Sequence, residues 1–212
     1  MITGIIITAL FAVVCLRGLE KRLKPKRRGF AKIHTAAGIA LVAVAILHIV
    51  LTFPLLRTRP VSVLISGMLC LSCILACFVS GLRKQFKAHR LLALCACVFI
   101  VLHVVFDITA FIDYKNQVKN ISIHNVGISQ IADGVYTGEC DVTFIYAKVA
   151  VTVRSGEIVD VAILEHRNER GGAAERIAVD VLKQQSLAVD AVSGATNSSV
   201  VIKKAIENAL AP

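Results

Sequence analysis

A run of small and hydroxyl-bearing residues near the carboxyl end of the chain has the composition of a phosphate-binding loop. It reads D-A-V-S-G-A-T-N-S-S from Asp190 to Ser199. Its small and hydroxyl-bearing residues are Ser193, Gly194, Ala195, Thr196, Ser198 and Ser199. A final helix is predicted to follow from about Ser199, and the free N–H groups and dipole of a helix N-terminus favour an anion. The alternative is an ordinary loop in which Ser198 or Ser199 caps that helix.

Four of the six histidines form two equally spaced pairs inside apolar segments. His34 and His48 lie fourteen residues apart, and so do His89 and His103. At about 100° per residue, fourteen residues fall about 40° short of four helical turns, so each pair lies on one helix face, about 21 Å apart along the axis. Buried ionisable residues are costly in lipid and usually functional. The alternative is packed or interfacial histidines, since His34 and His89 adjoin basic clusters.

Two imidazoles on opposite sides of a macrocycle are what a b-type haem requires. If the two helices run in the same direction, His34 is level with His89, and His48 is level with His103. Small residues on these helices leave room for a flat ring: Ala36, Ala37, Gly38, Ala40, Ala43, Ala93, Ala96 and Cys97. The arrangement resembles the core of cytochrome b. It predicts two bis-histidine haem b sites, with haem at one site only, or no haem, as the alternatives.

Apolar residues determine the division of the chain. They make up 56% of the 212 residues, which is too apolar for a soluble domain of this size. They concentrate in residues 1–113, where the predicted spans are about 2–18, 31–56, 61–82 and 88–112, the first being the shortest. Residues 114–131 form a predicted linker, and residues 132–212 have the composition of a soluble domain. We therefore expect an all-α four-helix membrane bundle followed by a small α+β domain.

The charge distribution predicts membrane topology and argues against nucleic-acid binding. The net charge is +10, and eight Lys or Arg lie between Arg17 and Lys32. A second cluster comprises Arg83, Lys84, Lys87 and Arg90. Both clusters flank apolar segments, as cytoplasmic loops do, whereas the loop between the second and third segments has only Arg57 and Arg59. The sequence thus predicts a multi-pass protein of the cell (inner) membrane whose C-terminal domain is extracytoplasmic.

The cysteines do not form a disulfide framework. Six of the seven lie in apolar segments, and Cys140 is alone in the C-terminal part. Cys70 and Cys73 form a C-x-x-C, but at helical spacing within lipid and with no nearby soluble Cys or His partner. Small polarizable packing residues are the better interpretation.

The C-terminal part shows a short sequence of predicted elements. Thr143 to Arg154 and Glu157 to Leu164 read as strands that are joined by the turn dipeptide Ser155-Gly156. Apolar spacing predicts a helix over Ala173 to Gln185, and the last helix runs from about Ser199 to Leu210. This order indicates an α+β domain.

These elements contain a motif found in known flavoproteins. Asp190, Ser193, Gly194, Ala195 and Thr196 match D-x-x-[ST]-G-A-T, the signature at which a flavin transferase joins the phosphate of FMN to threonine. With D-G-V-Y-T-G from Asp133, the strand pair and E-H-R-N from Glu165, residues 133–210 resemble the FMN-binding domain. That domain occurs in the FMN-carrying subunits of the sodium-pumping NADH:quinone oxidoreductase and of Rnf complexes.

The resemblance implies roles for individual residues. Thr196 would carry FMN as a phosphoester, although a non-covalent FMN could use the same loop. His166, Arg167 and Asn168 would lie near the isoalloxazine and donate hydrogen bonds to it; a polar surface loop is the alternative. Asp190 would act during attachment. The cofactor-binding set is then Asp190, Ser193, Gly194, Ala195, Thr196, Ser198, Ser199, His166 and Asn168, and His34, His89, His48 and His103 are the iron ligands.

Together these features predict a membrane electron carrier. Electrons would pass from a quinol or cytoplasmic donor through the haems at His34/His89 and His48/His103 to FMN, and then to an extracytoplasmic acceptor, with the direction left open. A flavin transferase and membrane lipid are the other expected partners. Two alternatives are a haem-free anchor that displays an FMN domain to a larger redox complex, and a terminal flavin reductase.

Overall fold

The computed structural model describes residues 2–23 and 30–211, with side chains described for residues 3–16 and 32–211. Much of the first basic cluster lies outside these residues. Two compact units are formed, one of Met1–Leu56 and Val61–Ile108, the other of Arg57–Pro60 and Thr109–Pro212. The second unit therefore begins earlier than the predicted domain start at residue 132.

Four helices make up most of the first part of the chain: α1 (Ile2–Leu23), α2 (Phe30–Thr52), α3 (Val61–Leu82) and α4 (Phe86–Asn120). A 3-10 helix, Phe53–Thr58, extends α2. Among the described residues, three segments are long and apolar enough to cross a membrane: Lys32–Thr58, Val61–Leu82 and Phe86–Asn120. The apolar part of α1, Thr3–Leu16, is shorter. These features are compatible with a membrane protein.

The first unit has an apolar centre to which all four helices contribute. Leu41, Cys70, Ile74, Ala96 and Ile100 form a buried cluster. Residues of α1 pack against it, among them Ile7, Leu10 and Phe11. Large apolar side chains also cover the outside, for example Val61 at 68% and Met68 at 70% exposure. Such extensive apolar exposure is expected of helices that face lipid.

The second unit contains an antiparallel sheet in the order β1-β2-β3. Its strands are β1 (Gly134–Val142), β2 (Ile145–Arg154) and β3 (Glu157–Arg167). The turn predicted at Ser155-Gly156 is confirmed, with φ of 51° and 76° at its two residues, as a two-residue hairpin needs. The sequence analysis did not assign β1, because its inward-facing positions include Tyr136, Gly138 and Cys140 instead of a continuous set of aliphatic residues.

One face of the sheet is covered by helices. A 3-10 turn, Gly172–Arg176, leads into α5 (Ile177–Gln184), which packs on β3, and α6 (Thr196–Leu210) packs on β1 and β2. The predicted helix from Ala173 is therefore α-helical only from Ile177. A Cβ on Gly138 would overlap the Ala205 carbonyl oxygen and the Ala209 amide nitrogen. Glycine is required there because the backbones of β1 and α6 approach each other so closely.

The segment between α4 and β1 is fastened to the second unit. α4 continues to Asn120, past the predicted end at residue 112. The His124 amide donates to Glu207 Oε2 at 3.3 Å, and the Leu187 amide donates to Asn125 Oδ1 at 3.0 Å. Glu207 is 6% exposed and also accepts from Lys204 Nζ at 2.9 Å. These bonds hold the predicted linker on the folded unit.

Candidate functional sites

The phosphate-loop residues lie at the beginning of α6, which starts earlier than predicted. Thr196 is its first residue and Ala195 its N-cap, and no side chain caps the helix. Ser198 and Ser199 lie inside the first turn and are 2% and 0% exposed. The alternative in which one of them is the N-cap is therefore wrong. Because alanine caps poorly, the first N–H groups of α6 have no side-chain acceptor.

A tight turn presents the exposed hydroxyls of this loop. The Ala195 amide donates to the Val192 carbonyl oxygen at 2.9 Å, and Gly194 has φ of 77°. A type II turn needs this conformation at its third residue, which explains the glycine. No atom lies within 4 Å of a Cβ built on Gly194. Ser193 and Thr196 are both exposed, so their hydroxyls stand beside the uncapped helix end.

The two buried serines of the loop differ in their bonding. Ser199 Oγ donates to the Ala195 carbonyl oxygen and accepts from the Val192 amide, both at 3.0 Å. It fastens the turn to the helix. Ser198 Oγ is buried and has no hydrogen-bond partner in the structure. Asp190 is exposed, and the carbonyl of its neighbour Val189 accepts from Lys203 Nζ at 2.8 Å.

The E-H-R-N segment ends β3 and places its side chains on two faces of the sheet. His166 lies opposite Ala147 on the helix-covered face, and its side chain is 1% exposed. Its Nδ1 is 3.0 Å from Glu175 Oε1, whereas its buried Nε2 has no partner in the structure. Arg167 lies on the other face, with its guanidinium 4.4 Å from the Tyr146 ring centroid. The structure thus separates Arg167 from His166.

Asn168 holds the shape of the loop that follows. Its Oδ1 accepts from the Gly171 amide at 2.7 Å, and its Nδ2 donates to the His166 carbonyl oxygen at 3.4 Å. A Cβ on Gly171 would overlap Ser198 Oγ, so this loop rests directly on the first turn of α6. The two segments singled out in the sequence therefore meet. Within the described residues, His166 Nε2 and Ser198 Oγ are buried polar atoms without protein partners, and proteins usually satisfy such atoms with water, an ion or a ligand.

Gly171 and Glu175 could not be predicted as site residues from the sequence. A G-G dipeptide indicates a turn, but nothing in it reveals that Ser198 would lie against the first glycine. Glu175 stands nine positions after His166 and contacts it only because the chain reverses between β3 and the 3-10 turn.

In the helical unit the structure brings one predicted histidine pair together. The ring centroids of His34 and His89 are 5.9 Å apart, with an interplanar angle of 76°. Two imidazoles bound to one metal ion place their centroids about 6 Å apart, because each nitrogen lies about 2 Å from the metal. The 5.9 Å spacing of His34 and His89 matches this value, and it equally matches two rings in edge-to-face contact.

Nδ1 of three predicted ligand histidines lies within hydrogen-bond distance of an oxygen atom. His89 Nδ1 lies 2.8 Å from the Cys77 carbonyl oxygen, His48 Nδ1 lies 2.7 Å from Thr3 Oγ1, and His103 Nδ1 lies 3.1 Å from Ser66 Oγ. A hydrogen bond at one ring nitrogen orients a metal-binding histidine and leaves the other nitrogen for the metal. In each case that other nitrogen is Nε2.

Helix α3 repeats its contacts to these rings at the same fourteen-residue interval. A Cβ on Gly67 would lie 3.0 Å from His103 Cε1, and one on Gly81 would lie 3.1 Å from His89 Nδ1. The serine before each glycine bonds a carbonyl three residues earlier: Ser66 bonds Val63, and Ser80 bonds Cys77, at 3.0 and 2.8 Å. This repeat could not be predicted as part of the site from the sequence, because glycine and serine are common in apolar helices and do not by themselves indicate a neighbouring histidine.

Within residues 2–23 and 30–211, no cluster of three or more His, Cys, Asp or Glu could hold a metal ion. This finding gives no support to the predicted haem sites.

Comparison with known families identifies the C-terminal segment. The model of the FMN-binding domain family matches residues 145–211, which include β2, β3, α5 and α6. The match supports FMN as the cofactor and suggests a flavin-binding, redox function for this part of the chain. The match does not extend to the four helices or to β1. No curated protein and no solved structure matches the chain.

Proposed function

We propose that the protein is a membrane electron carrier that links two bis-histidine b haems to FMN carried by Thr196 on the extracytoplasmic side. One observation carries this proposal. The histidine pair on α2, the histidine pair on α4 and the glycine pair on α3 are all spaced by fourteen residues. Haem iron and FMN would supply the redox chemistry, and the residues of the chain bind and orient them.

The beginning of α6 is suited to a flavin phosphate. Thr196 offers an exposed hydroxyl, Gly194 leaves open space beside it, and the helix N–H groups have no side-chain cap. Helix N-termini favour anions in this way. A phosphoester at Thr196 would form with net loss of water, since the O–H bond of Oγ1 is replaced by an O–P bond.

Intact mass after denaturation tests the attachment. Chain made beside an active flavin transferase is expected to gain the mass of FMN less one water, and Thr196→Ala to abolish the gain. Ser193→Ala is the matched control, because its hydroxyl is also exposed in the same loop. Wild-type chain that stays at its unmodified mass and colourless after denaturation would rule out a phosphoester.

In the helical unit, Nε2 of His34 and His89 would bind one iron, and Nε2 of His48 and His103 the other. Two features support this arrangement. The Nδ1 contacts of three histidines hold their rings in place, and glycines of α3 lie beside the His89 and His103 rings, where a larger side chain would crowd them. Between the two levels lies the buried apolar cluster that includes Leu41 and Ala96.

A reduced-minus-oxidised absorption spectrum of purified protein tests the haem sites. A b-type α-band is expected, and His89→Ala and His103→Ala should each remove about half of its amplitude, since each would empty one of two sites. His124→Ala, which changes an exposed histidine of the connecting segment, is the control. An FMN-loaded protein without this band would instead be a haem-free anchor.

The side of the membrane is proposed from the basic clusters, which follow the rule that short Lys/Arg-rich loops stay in the cytoplasm. Lys148→Cys, on the open face of β2, should react in intact cells with a membrane-impermeant maleimide. Lys87→Cys, in the second basic cluster, should react only after the cells are opened, with wild type as the background. The opposite result would place the FMN-binding domain in the cytoplasm.

A further inference from the structure

His166 is bonded in a way that fixes which kind of group it can bind. Two groups lie near Nδ1 of His166: Glu175 Oε1 at 3.0 Å and Asn168 Nδ2 at 3.3 Å. A carboxylate only accepts hydrogen bonds, so the shorter contact favours a proton on Nδ1, and the Asn168 amide can donate instead to the His166 carbonyl oxygen. In the neutral imidazole, Nε2 is then a lone-pair acceptor. His166 would therefore accept a hydrogen bond at Nε2, whereas the sequence analysis expects it to donate one.

The same nitrogen is positioned for a ligand. The His166 side chain is 1% exposed, and Nε2 has no partner within the part of the chain that the structure describes. A buried acceptor left without a donor is unfavourable by a free energy comparable to a lost hydrogen bond. The loop that follows His166 contacts the first turn of α6 through Gly171 and Ser198, so the end of β3 lies beside the proposed phosphate loop.

Only a few hydrogen-bond donors exist on the cofactor. The oxidised isoalloxazine has a single N–H group, at N3 of its imide, and the remaining polar ring atoms are acceptors. The ribityl hydroxyls are the other donors. A rigid, buried acceptor suits the ring N–H better, because the ribityl chain can rotate its hydroxyls toward other partners.

We propose that His166 Nε2 accepts the N3–H of the flavin ring and that Glu175 is the positioning residue that sets the imidazole tautomer. The proposal rests on the proposed FMN site and deepens it, by assigning the imide end of the ring to the end of β3. Arg167 has no part in this recognition, since it stacks on Tyr146 on the other face of the sheet.

Flavin with a methyl group at N3 tests the assignment, because it keeps the shape of FMN and lacks the donor. Full-length protein would be made without the flavin transferase, so that Thr196 is free, and dialysed in detergent against FMN or 3-methyl-FMN. We expect wild type to bind 3-methyl-FMN about tenfold more weakly, the ratio that corresponds to one unsatisfied buried acceptor.

Variants separate hydrogen bonding from steric exclusion. His166→Ala removes the acceptor and makes room, so the two flavins should bind within about twofold of each other. Glu175 is exposed, so Glu175→Ala should not impair folding. Without the carboxylate the proton is no longer held on Nδ1 of His166, and the ratio of the dissociation constants of 3-methyl-FMN and FMN should fall to about threefold. Glu165→Ala is the matched control, since this exposed glutamate pairs with Arg167 at 3.0 Å, and it should keep the wild-type ratio.

The outcomes distinguish the two proposals. Three outcomes would overturn the role of His166 while leaving the FMN site in place. Wild type could bind both flavins equally, or His166→Ala could keep the tenfold penalty for 3-methyl-FMN. The third outcome is a binding ratio in Glu175→Ala equal to that in Glu165→Ala. Failure of FMN itself to bind would overturn the flavin site that both proposals share.

Discussion

The helical unit and the C-terminal unit both bury apolar side chains, but they differ in the side chains that they expose. In the first, Met68 of α3 is 70% exposed while Ser66, two positions earlier, is 4% exposed. In the second, Val149, Val151 and Val153 of β2 are fully buried, and Lys148 is 43% exposed on the other face. The helices expose large apolar side chains as well as burying them, which is compatible with a lipid environment.

The two units also differ in how their candidate site residues are arranged along the chain. In the helical unit the histidines recur at one interval along two helices, so each histidine has a fixed position relative to the next on its helix. In the C-terminal unit the site is assembled from a strand end, a 3-10 turn and a helix start that are separated in sequence. Substitutions should therefore act locally in the first unit and through the loop framework in the second.

The largest effect is expected at the closest backbone approach in the C-terminal unit. Gly138→Ala would drive a methyl group into the backbone of α6, which cannot move aside as a side chain can. We expect a loss of about 3 kcal/mol in the free energy of unfolding, measured by denaturant titration of the full chain. Gly172→Ala is the control, because no atom lies within 4 Å of its Cβ position. Equal stability of the two variants would contradict the close packing of β1 and α6.

The two buried serines of the loop should respond differently. Ser199→Ala leaves the Val192 amide without its acceptor, so the flavin-free protein should lose about 2 kcal/mol. Ser198→Ala removes a hydroxyl that bonds nothing in the structure, so the flavin-free protein should change by less than about 0.5 kcal/mol while FMN binding weakens. Denaturant titrations with and without FMN measure both. If FMN binding weakened only in Ser199→Ala, then Ser199 and not Ser198 would be the serine that contacts the flavin.

A smaller effect is expected beside the histidines. Gly67→Ala places a methyl group 3.0 Å from the His103 ring, which must shift by a few tenths of an ångström. We expect a loss of about 1 kcal/mol, measured by thermal unfolding in detergent, together with reduced b-type absorbance. In Gly38→Ala the nearest atom, on the Phe78 ring, lies 3.9 Å away, so this variant should match wild type. Reduced absorbance in both variants would show that the glycines of α3 are not specific to the histidines.

The smallest effect concerns Cys140 on β1. Burial raises the pKa of its thiol, and the neighbouring Asp141 raises it further. Because the unfolded thiol ionises first, the stability that depends on the neutral thiol is present at neutral pH and declines as the pH rises above about 8.5. Denaturant titrations at pH 7 and pH 10 measure the decline, and Cys140→Ser should lessen it. An unchanged pH dependence in Cys140→Ser would assign the decline to other groups.

Much of the architecture could be predicted from local patterns. The third apolar segment was predicted to span residues 61–82 and does so, because Pro60 and the basic cluster after Leu82 mark both ends. The hairpin at Ser155-Gly156 followed from turn chemistry. The predictions at α4 and β1 were less accurate. α4 runs on to Asn120 through polar residues, and β1 lacks the aliphatic alternation by which strands are recognised.

The amino-acid sequence by itself determined the equal spacing of the four histidines, the division into apolar and polar parts, and the motif around Thr196. These three features depend on the helical period, on composition and on adjacent residues respectively. None of them requires knowledge of which distant residues are in contact. Only the tertiary structure decided that Glu175 orients His166, that Ser198 is buried without a partner, and that α3 lies against the histidine rings. Those relations join residues distant in the chain, and they exist only once packing has brought separate elements within a few ångströms of each other.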